Sequence, residues 1–136
     1  MSKLAMLELC GWIEVSMDDC ILRASIRVLK DEGNRRRLEE KVLRNYGFEY
    51  ERHFKSMMIQ VFGLWGFGKI FRSVDATIAA RFSSELGRLK TKRNTLAHTY
   101  TPGVTEEYDA PSAALGSFAI VKSGLQAYDS AIRKHF

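Results

Sequence analysis

Proline is scarce in this chain, and its scarcity leaves most of the sequence free to form helices. Among 136 residues there are two prolines, Pro102 and Pro111, and both come late. A proline inside a helix removes a backbone hydrogen bond and kinks or breaks the helix, so the region before residue 101 has no such interruption. Strand-like alternation of apolar and polar residues and internal repeats are also missing, which argues against a sheet or a repeat architecture.

Long apolar runs are missing as well. None approaches the roughly 18 consecutive apolar residues that span a bilayer. Residues 1–4 lack the apolar core and the small-residue cleavage site of a secretory signal peptide. The sequence therefore predicts a cytoplasmic protein without a membrane partner.

Cysteine is limited to Cys10 and Cys20. Both fall in the first predicted helix, where ten residues span about 15 Å, which is too far for an intramolecular disulfide. Two cysteines without a matching histidine cluster do not make a zinc site. We therefore expect two reduced core thiols, no metal and no cofactor.

Positive charge is in excess, with a net charge of +5 and an isoelectric point near 9.4. Such a surplus favours a polyanionic partner such as RNA. Basic residues cluster in the second predicted helix, where they form either a solvated face or contacts to an RNA backbone. They are Arg35, Arg36, Arg37, Lys41 and Arg44.

Apolar residues recur at helical spacing in five segments. The predicted helices cover residues 2–30, 35–46, 49–62, 73–99 and the residues from Pro111 onwards. Gly33 is expected to end the first helix and Asn34 to cap the second. The apolar stripe of the first helix is Met6, Cys10, Ile13, Met17, Ile21, Ala24 and Val28. We predict an all-α fold, an antiparallel bundle of four to five helices in a single domain spanning residues 1–136.

The glycine-rich segment at residues 63–70 matches the G-x-x-x-x-G-K part of a phosphate-binding loop. Ile70 stands where such a loop has the Ser or Thr that binds magnesium, and no strand precedes the segment. We therefore expect a turn between two helices, with Trp65 and Phe67 folded onto the core.

The last predicted helix carries a strip of small residues beside its apolar stripe. They are Gly116, Ala119, Ser123, Gly124, Ala127 and Ala131. Such a strip lets another helix approach closely, and that helix belongs either to the same chain or to a second protomer.

The stretch from Arg93 to Tyr100 contains the candidate site. Arg93 continues the apolar stripe of the fourth helix, so a charge stands where an apolar side chain is expected and needs a partner anion. Its guanidinium suits phosphate oxygens, and the His98 imidazole exchanges a proton near neutral pH. Asn94 lies four residues before His98, on the same helix face, where its amide can hydrogen-bond the ring.

Arg93 and His98 do not share a helix face. They are five residues apart, which is about 140° around an ideal helix and about 7.5 Å along it. They can serve one site if the helix ends between them, or if a second copy of the chain supplies the missing group. The second possibility predicts a homodimer.

Glu14 and Asp18 lie four residues apart beside the apolar stripe of the first helix. They form either a solvated acidic edge, or one of them holds a basic residue of the active site.

At Arg93, Asn94 and His98 the chain resembles a HEPN domain (higher eukaryote and prokaryote nucleotide-binding). The signature of that superfamily is R-x(4–6)-H, with a polar residue, often Asn, directly after the Arg. Tyr100 extends the match to R-x4-H-x-Y, the form seen in HEPN toxins paired with minimal nucleotidyltransferase antitoxins. The motif covers eight residues, and the predicted bundle and its length agree with the superfamily.

The resemblance implies a metal-independent endoribonuclease that acts as a homodimer, as a toxin or an anti-phage effector, with an antitoxin protein as a further partner. His98 would be the general base or acid, Arg93 would stabilise the phosphorane, and Asn94 would orient His98 or bind the backbone. Tyr100 would contact the substrate or be a modification site. The expected substrate-binding residues are Tyr100, Lys92 and Lys90, the two lysines adding positive charge upstream.

Two other functions stay open at this point. Some HEPN relatives are inactive, so the chain can be a non-catalytic helical module that binds RNA, a nucleotide or a partner protein. It can also be a nucleotidyl-transfer enzyme, or the target of one, with Tyr100 as the modified residue.

Overall fold

Helices dominate the parts of the chain that the structure, a computed structural model, describes: residues 3–42, 47–98 and 111–136, with only the backbone for 41–42, 96–98 and 111–112. The five α-helices within these ranges are α1 (Lys3–Val28), α2 (Glu32–Arg37), α3 (Ser56–Ser73), α4 (Ala76–His98) and α5 (Pro111–His135). Two π-helical segments, Leu38–Val42 and Tyr50–Lys55, follow α2 and precede α3. None of these ranges contains a strand, and the predicted all-α bundle is confirmed.

One hydrophobic core joins the helices, with α5 in contact with α1, α3 and α4. The predicted apolar stripe of α1 faces this core from Met6 to Ala24, and Val28 at its end is partly exposed. Removing such side chains from water is the main favourable contribution to folding. None of the helices within the described ranges is long and apolar enough to cross a bilayer.

Four aromatic rings form the centre of this core, at the level where α3, α4 and α5 meet. Phe82 of α4 contacts Phe54 edge-on at a ring separation of 5.8 Å and Tyr128 of α5 at 5.7 Å. The Tyr128 hydroxyl donates a hydrogen bond to the Tyr50 hydroxyl at 2.8 Å. Burial raises the pKa of both phenols, so the polar ends of the rings stay neutral and bonded to each other.

The small-residue strip of α5 is used within the chain at Gly124. A Cβ added there would lie 2.3 Å from the Phe82 ring, so only glycine lets α4 and α5 approach this closely. The helix that packs on this strip at Gly124 is therefore α4 of the same chain.

The cap of α2 differs from the prediction. Asp31, and not Asn34, is the N-cap, because its carboxylate accepts a hydrogen bond from the Asn34 N–H at 3.1 Å. Gly33 lies inside α2 and does not end α1, whose last residue is Val28. The predicted second helix, residues 35–46, is the short α2 followed by the π-helical segment Leu38–Val42, and its last residues, 43–46, lie outside the described ranges.

Arg35 has a structural task at the end of α1. Its guanidinium donates to the carbonyl oxygen of Leu29 at 2.6 Å and to that of Ile26 at 3.2 Å. The carbonyls of a last helical turn have no partner within the helix, and a cation also suits the negative end of its dipole. Arg35, one of the clustered basic residues, thus caps the C-terminal end of α1.

The glycine-rich segment is helical rather than a turn. Gly63 alone leaves the helical region, with φ 76° and ψ 170°, and the chain resumes as a helix to Ser73. On this helical path Gly66 and Ile70 face the core, so Trp65 points outward and is 70% exposed, contrary to the prediction. Phe67 does pack on the core, as predicted.

The contact between Phe82 and Gly124 gives a stability prediction. Gly124→Ala should destabilise the protein by about 1–3 kcal/mol, because the new methyl group overlaps the ring. The matched control is Gly116→Ala on the same helix, where nothing lies within 4 Å of an added Cβ and a gain of up to about 1 kcal/mol is expected. Urea unfolding followed by circular dichroism measures both, and equal effects at the two positions would contradict the close approach.

Candidate functional site

Arg93 lies in the last two turns of α4, where the buried stripe of Phe82, Leu86 and Leu89 continues toward the helix end. α4 begins at an Asp75 cap, whose carboxylate accepts hydrogen bonds from the N–H groups of Thr77 and Ile78. The stripe directs the Arg93 side chain toward α1 rather than into water. Its side chain keeps 31% of its surface exposed, so the charge is neither buried nor fully solvated.

Glu14 of α1 is the partner anion of Arg93. The Arg93 Nη1 donates to Glu14 Oε1 at 3.2 Å, and the Glu14 side chain is 28% exposed. Partial removal from water strengthens such a pair relative to a surface ion pair, and breaking it leaves an uncompensated charge. Of the two possibilities for the acidic residues of α1, the structure thus supports the one in which Glu14 holds a basic residue.

Phe48 forms the floor under this ion pair. The Arg93 guanidinium carbon lies 4.7 Å from the centre of the Phe48 ring, and Phe48 is almost fully buried. A cation over an aromatic face is attracted by the ring quadrupole, by about 0.5–1 kcal/mol or more when water is partly excluded. The guanidinium is therefore held in one orientation from two sides, by Glu14 and by Phe48.

His53 is a neighbour of this site that the sequence analysis did not include among the candidates. Its Nδ1 accepts a hydrogen bond from the Glu49 N–H at 3.0 Å, at the start of the π-helical segment Tyr50–Lys55. Burial, and then the charge of Arg52, lower its pKa, while the charges of Glu14 and Arg93 also act on it. His53 is therefore neutral at pH 7, with its proton on Nε2.

Gly47 is required by the His53 ring. A Cβ at position 47 would lie 2.2 Å from the ring, so the backbone passes directly over the imidazole. The signal that points to this arrangement in the sequence is the spacing of Glu49 and His53, four residues apart at a helix start. That spacing indicates a cap, which is a structural role.

Asp18 lies one turn further along α1, beside Glu14. Burial first, and then the negative charge of Glu14, raise the pKa of the Asp18 carboxyl from its ordinary value of 3.8 to about 6. Glu14 is the carboxylate that pairs with Arg93, and Asp18 is a partly buried carboxyl beside it.

The basic residues upstream of Arg93 are largely engaged. Lys90 forms a salt bridge with Glu49. The Arg88 guanidinium bonds Glu85 of the same helix and Ser117 of α5. Burial raises the pKa of Glu85, but the hydrogen bonds from Arg88 and Ser117 outweigh it and lower the pKa overall. The charge of Lys92 acts on the same carboxylate, and Lys92 is half-buried.

The remaining predicted residues are placed only in part. Asn94 is exposed, and α4 continues through His98, which is its last residue. The helix therefore does not end between Arg93 and His98, which excludes the first of the two ways in which they could serve one site. The His98 side chain and all of Tyr100 lie outside the described residues, so their predicted roles stay predictions.

Both cysteines are buried and free, as expected. Burial raises the pKa of Cys10 to about 11 and that of Cys20 to about 12. In the part of the chain that the structure describes, no group of three or more His, Cys, Asp or Glu side chains could hold a metal ion.

No protein-family model, no curated protein and no solved structure matches this chain. The resemblance to HEPN domains therefore rests on the motif at Arg93 to Tyr100 and on the helical bundle.

The pair of Glu14 and Arg93 can be tested by stability. Glu14→Gln should lower the free energy of unfolding by about 1 kcal/mol, because Arg93 then keeps a partly buried charge without an anion. Adding Arg93→Leu to Glu14→Gln should recover part of that loss, because no unpaired charge is then left. Glu8→Gln, at an exposed position of the same helix, is the control and should have almost no effect. Additive effects of the two changes in a double-mutant cycle would contradict the interaction.

Asp18 gives a prediction for pH dependence. Its folded pKa lies above its ordinary value, so ionisation disfavours the native state, and stability is lost as the pH rises through about 6. Asp18→Asn should therefore stabilise the protein by about 1 kcal/mol near pH 8 and have little effect near pH 4. Urea titrations at the two pH values measure this, with Asp19→Asn, an exposed neighbour, as the control. A gain of equal size at both pH values would contradict the assignment.

Proposed function

We propose that this protein is a metal-independent endoribonuclease of the HEPN type that acts as a homodimer in the cytoplasm. The observation that carries the proposal is Arg93, a partly exposed cation fixed between Glu14 and Phe48 on the helix that ends at His98. A guanidinium held in one orientation is suited to bind a phosphodiester and the charge that develops on it.

The reaction needs a base, an acid and a cation. His98 removes the proton of a ribose 2′-hydroxyl, whose oxygen attacks the adjacent phosphorus. The bond to the 5′-oxygen then breaks, and that oxygen takes up a proton from the His98 imidazolium, which leaves a 2′,3′-cyclic phosphate, a 5′-hydroxyl and neutral His98. General acid–base catalysis contributes about 10²–10⁴-fold, and charge stabilisation of the phosphorane by Arg93 adds a further factor of about 10²–10³. DNA lacks the nucleophile.

Glu14 leaves Arg93 able to act on a substrate. The ion pair uses Nη1 of the guanidinium, and an arginine has five N–H donors. Glu14 therefore orients Arg93, while the other donors can serve phosphate oxygens. Asn94 is exposed at the next position of α4, and in this proposal it contacts the RNA or orients His98.

The geometry of α4 is the reason for including a second copy of the chain in the proposal. Because the helix is continuous from Arg93 to His98, the two positions lie about 140° apart around its axis. Arg93 of one protomer and His98 of the other then serve one scissile phosphate. The excess of positive charge supports RNA as the partner, and the motif form with Tyr100 supports a toxin or an anti-phage effector controlled by an antitoxin.

A non-catalytic helical module is the second candidate function. The observation that favours it is the same ion pair, since an arginine that is already neutralised and packed on Phe48 can be purely structural. Such a module would bind RNA or a partner protein without cleaving either.

Cleavage of a mixed RNA pool in the presence of EDTA separates the two functions. The wild-type protein should cut RNA and leave 2′,3′-cyclic phosphate ends. Arg93→Ala and His98→Ala should each lower the rate by at least about 10²-fold. Arg81→Ala, an exposed arginine on the same helix, is the matched control and should retain activity. RNA binding without cleavage by the wild-type protein would favour the module, and activity lost on adding EDTA would contradict a metal-independent mechanism.

A further inference from the structure

A second apolar stripe runs along α1 on the side away from the core. It consists of Leu4, Leu7, Gly11 and Val15, and the three larger side chains are 67%, 49% and 68% exposed. Their spacing by threes and fours places them on one helix face, opposite the buried stripe. A helix that is apolar on two opposite faces is normally covered on both.

The stripe continues onto the start of α5. Leu115 and Phe118 are exposed there, and the Phe118 ring lies 4.7 Å from that of Trp12 on α1. Together these residues form one apolar surface across two helices, which we call the α1 surface. Contiguous apolar surfaces of this kind mark interaction sites in soluble proteins.

The arrangement of the α1 surface is self-complementary. Leu7 and Val15 lie four residues on either side of Gly11, so two antiparallel copies of α1 that cross at Gly11 place each leucine at the level of the other copy's valine. An added Cβ at Gly11 would meet nothing within 4 Å, so the backbone there is open to close approach. Residues that contact one another reciprocally are the mark of a two-fold interface.

The charges near the stripe disfavour a parallel arrangement. A parallel pairing about a two-fold axis places each residue of α1 opposite its own copy, so Glu14, Asp18 and Asp19 would each face a like charge, which is unfavourable.

We propose that the α1 surface joins two copies of this chain, with their α1 helices antiparallel and crossing at Gly11. The inference rests on the homodimer of the proposed function and names the surface that forms it. Glu14 follows Gly11 by three residues, at one edge of the stripe, about 4.5 Å further along the helix. The two-fold axis that relates the two antiparallel helices lies between them and perpendicular to both. Such an axis leaves the Glu14 edges of both helices on the same side of the interface, so both pairs of Glu14 and Arg93 would line one cleft.

Sedimentation of the full chain over a micromolar concentration range tests the association. The wild-type protein should be dimeric, and Leu7→Glu combined with Val15→Glu should raise the dissociation constant by at least about 10²-fold. Leu64→Glu, at an equally exposed leucine of α3, is the control and should leave the constant unchanged. All three positions face solvent in one chain, so folding is retained. A wild-type monomer throughout the range, or equal weakening by the control, overturns the inference.

Disulfide cross-linking tests the antiparallel register. Gly11→Cys should give a covalent dimer on oxidation, and Gly68→Cys, at an equally open helical glycine, should not. A mixture of Leu7→Cys and Val15→Cys chains should cross-link, whereas either variant alone should stay monomeric on a denaturing gel. Cys10 and Cys20 are buried and do not compete. Self-cross-linking of Leu7→Cys alone would show a parallel pairing and overturn the proposal.

These experiments read association and not catalysis, so the two proposals can fail separately. A dimer with the predicted cross-links but no RNA cleavage overturns the nuclease and leaves the α1 surface in place. Cleavage by a protein that dimerises without the predicted cross-links overturns the α1 surface alone.

Discussion

The close approach of α4 and α5 at Gly124 is the constraint on which the arrangement around Arg93 depends. Because no side chain intervenes at Gly124, the Phe82 ring lies directly on the backbone of α5. From there it reaches Tyr50 and Phe54 of the π-helical segment and fixes that segment against the core. The residues just before the segment, Gly47 to Glu49, are thereby placed beside the end of α4. The Phe48 floor and the His53 cap thus follow from a contact between two other helices.

Arg93 shows how a charged residue is accommodated at the edge of such a core. The helix periodicity directs it inward, and Glu14, Phe48 and partial exposure each remove part of the cost of its burial. The same three features also prepare it for an incoming phosphate, because a guanidinium already oriented loses little freedom on binding. Within a single chain, a structural arginine and a catalytic arginine would therefore make the same contacts. Only the contacts with a second chain or with RNA distinguish the two roles.

The fold was largely predictable from the sequence, and the site only in part. Long stripes such as the one from Met6 to Ala24 define helices because burial of one face decides the local structure. The apolar register likewise indicated that Arg93 was anomalous, and one of the two interpretations of Glu14 and Asp18 was that one of them holds a basic residue. Asp31 was missed as a cap because Asn34 has equal intrinsic preference, and only the observed backbone distinguishes them. Trp65 was wrongly predicted to pack on the core because glycine has a low helix propensity, so the local sequence did not indicate a helix here. Tertiary packing stabilises this helix instead.

The two thiols of α1 make the opening of that helix observable. Cys10 and Cys20 lie on the buried face, and their raised pKa values keep them as unreactive thiols in the native state. A thiol reagent can therefore modify them only when α1 leaves α5 and α4, so the rate of modification reports the frequency of that excursion. Because the two cysteines are ten residues apart on one helix, equal rates at both would mean that α1 detaches as a unit, and a faster rate at Cys10 would mean fraying from its beginning.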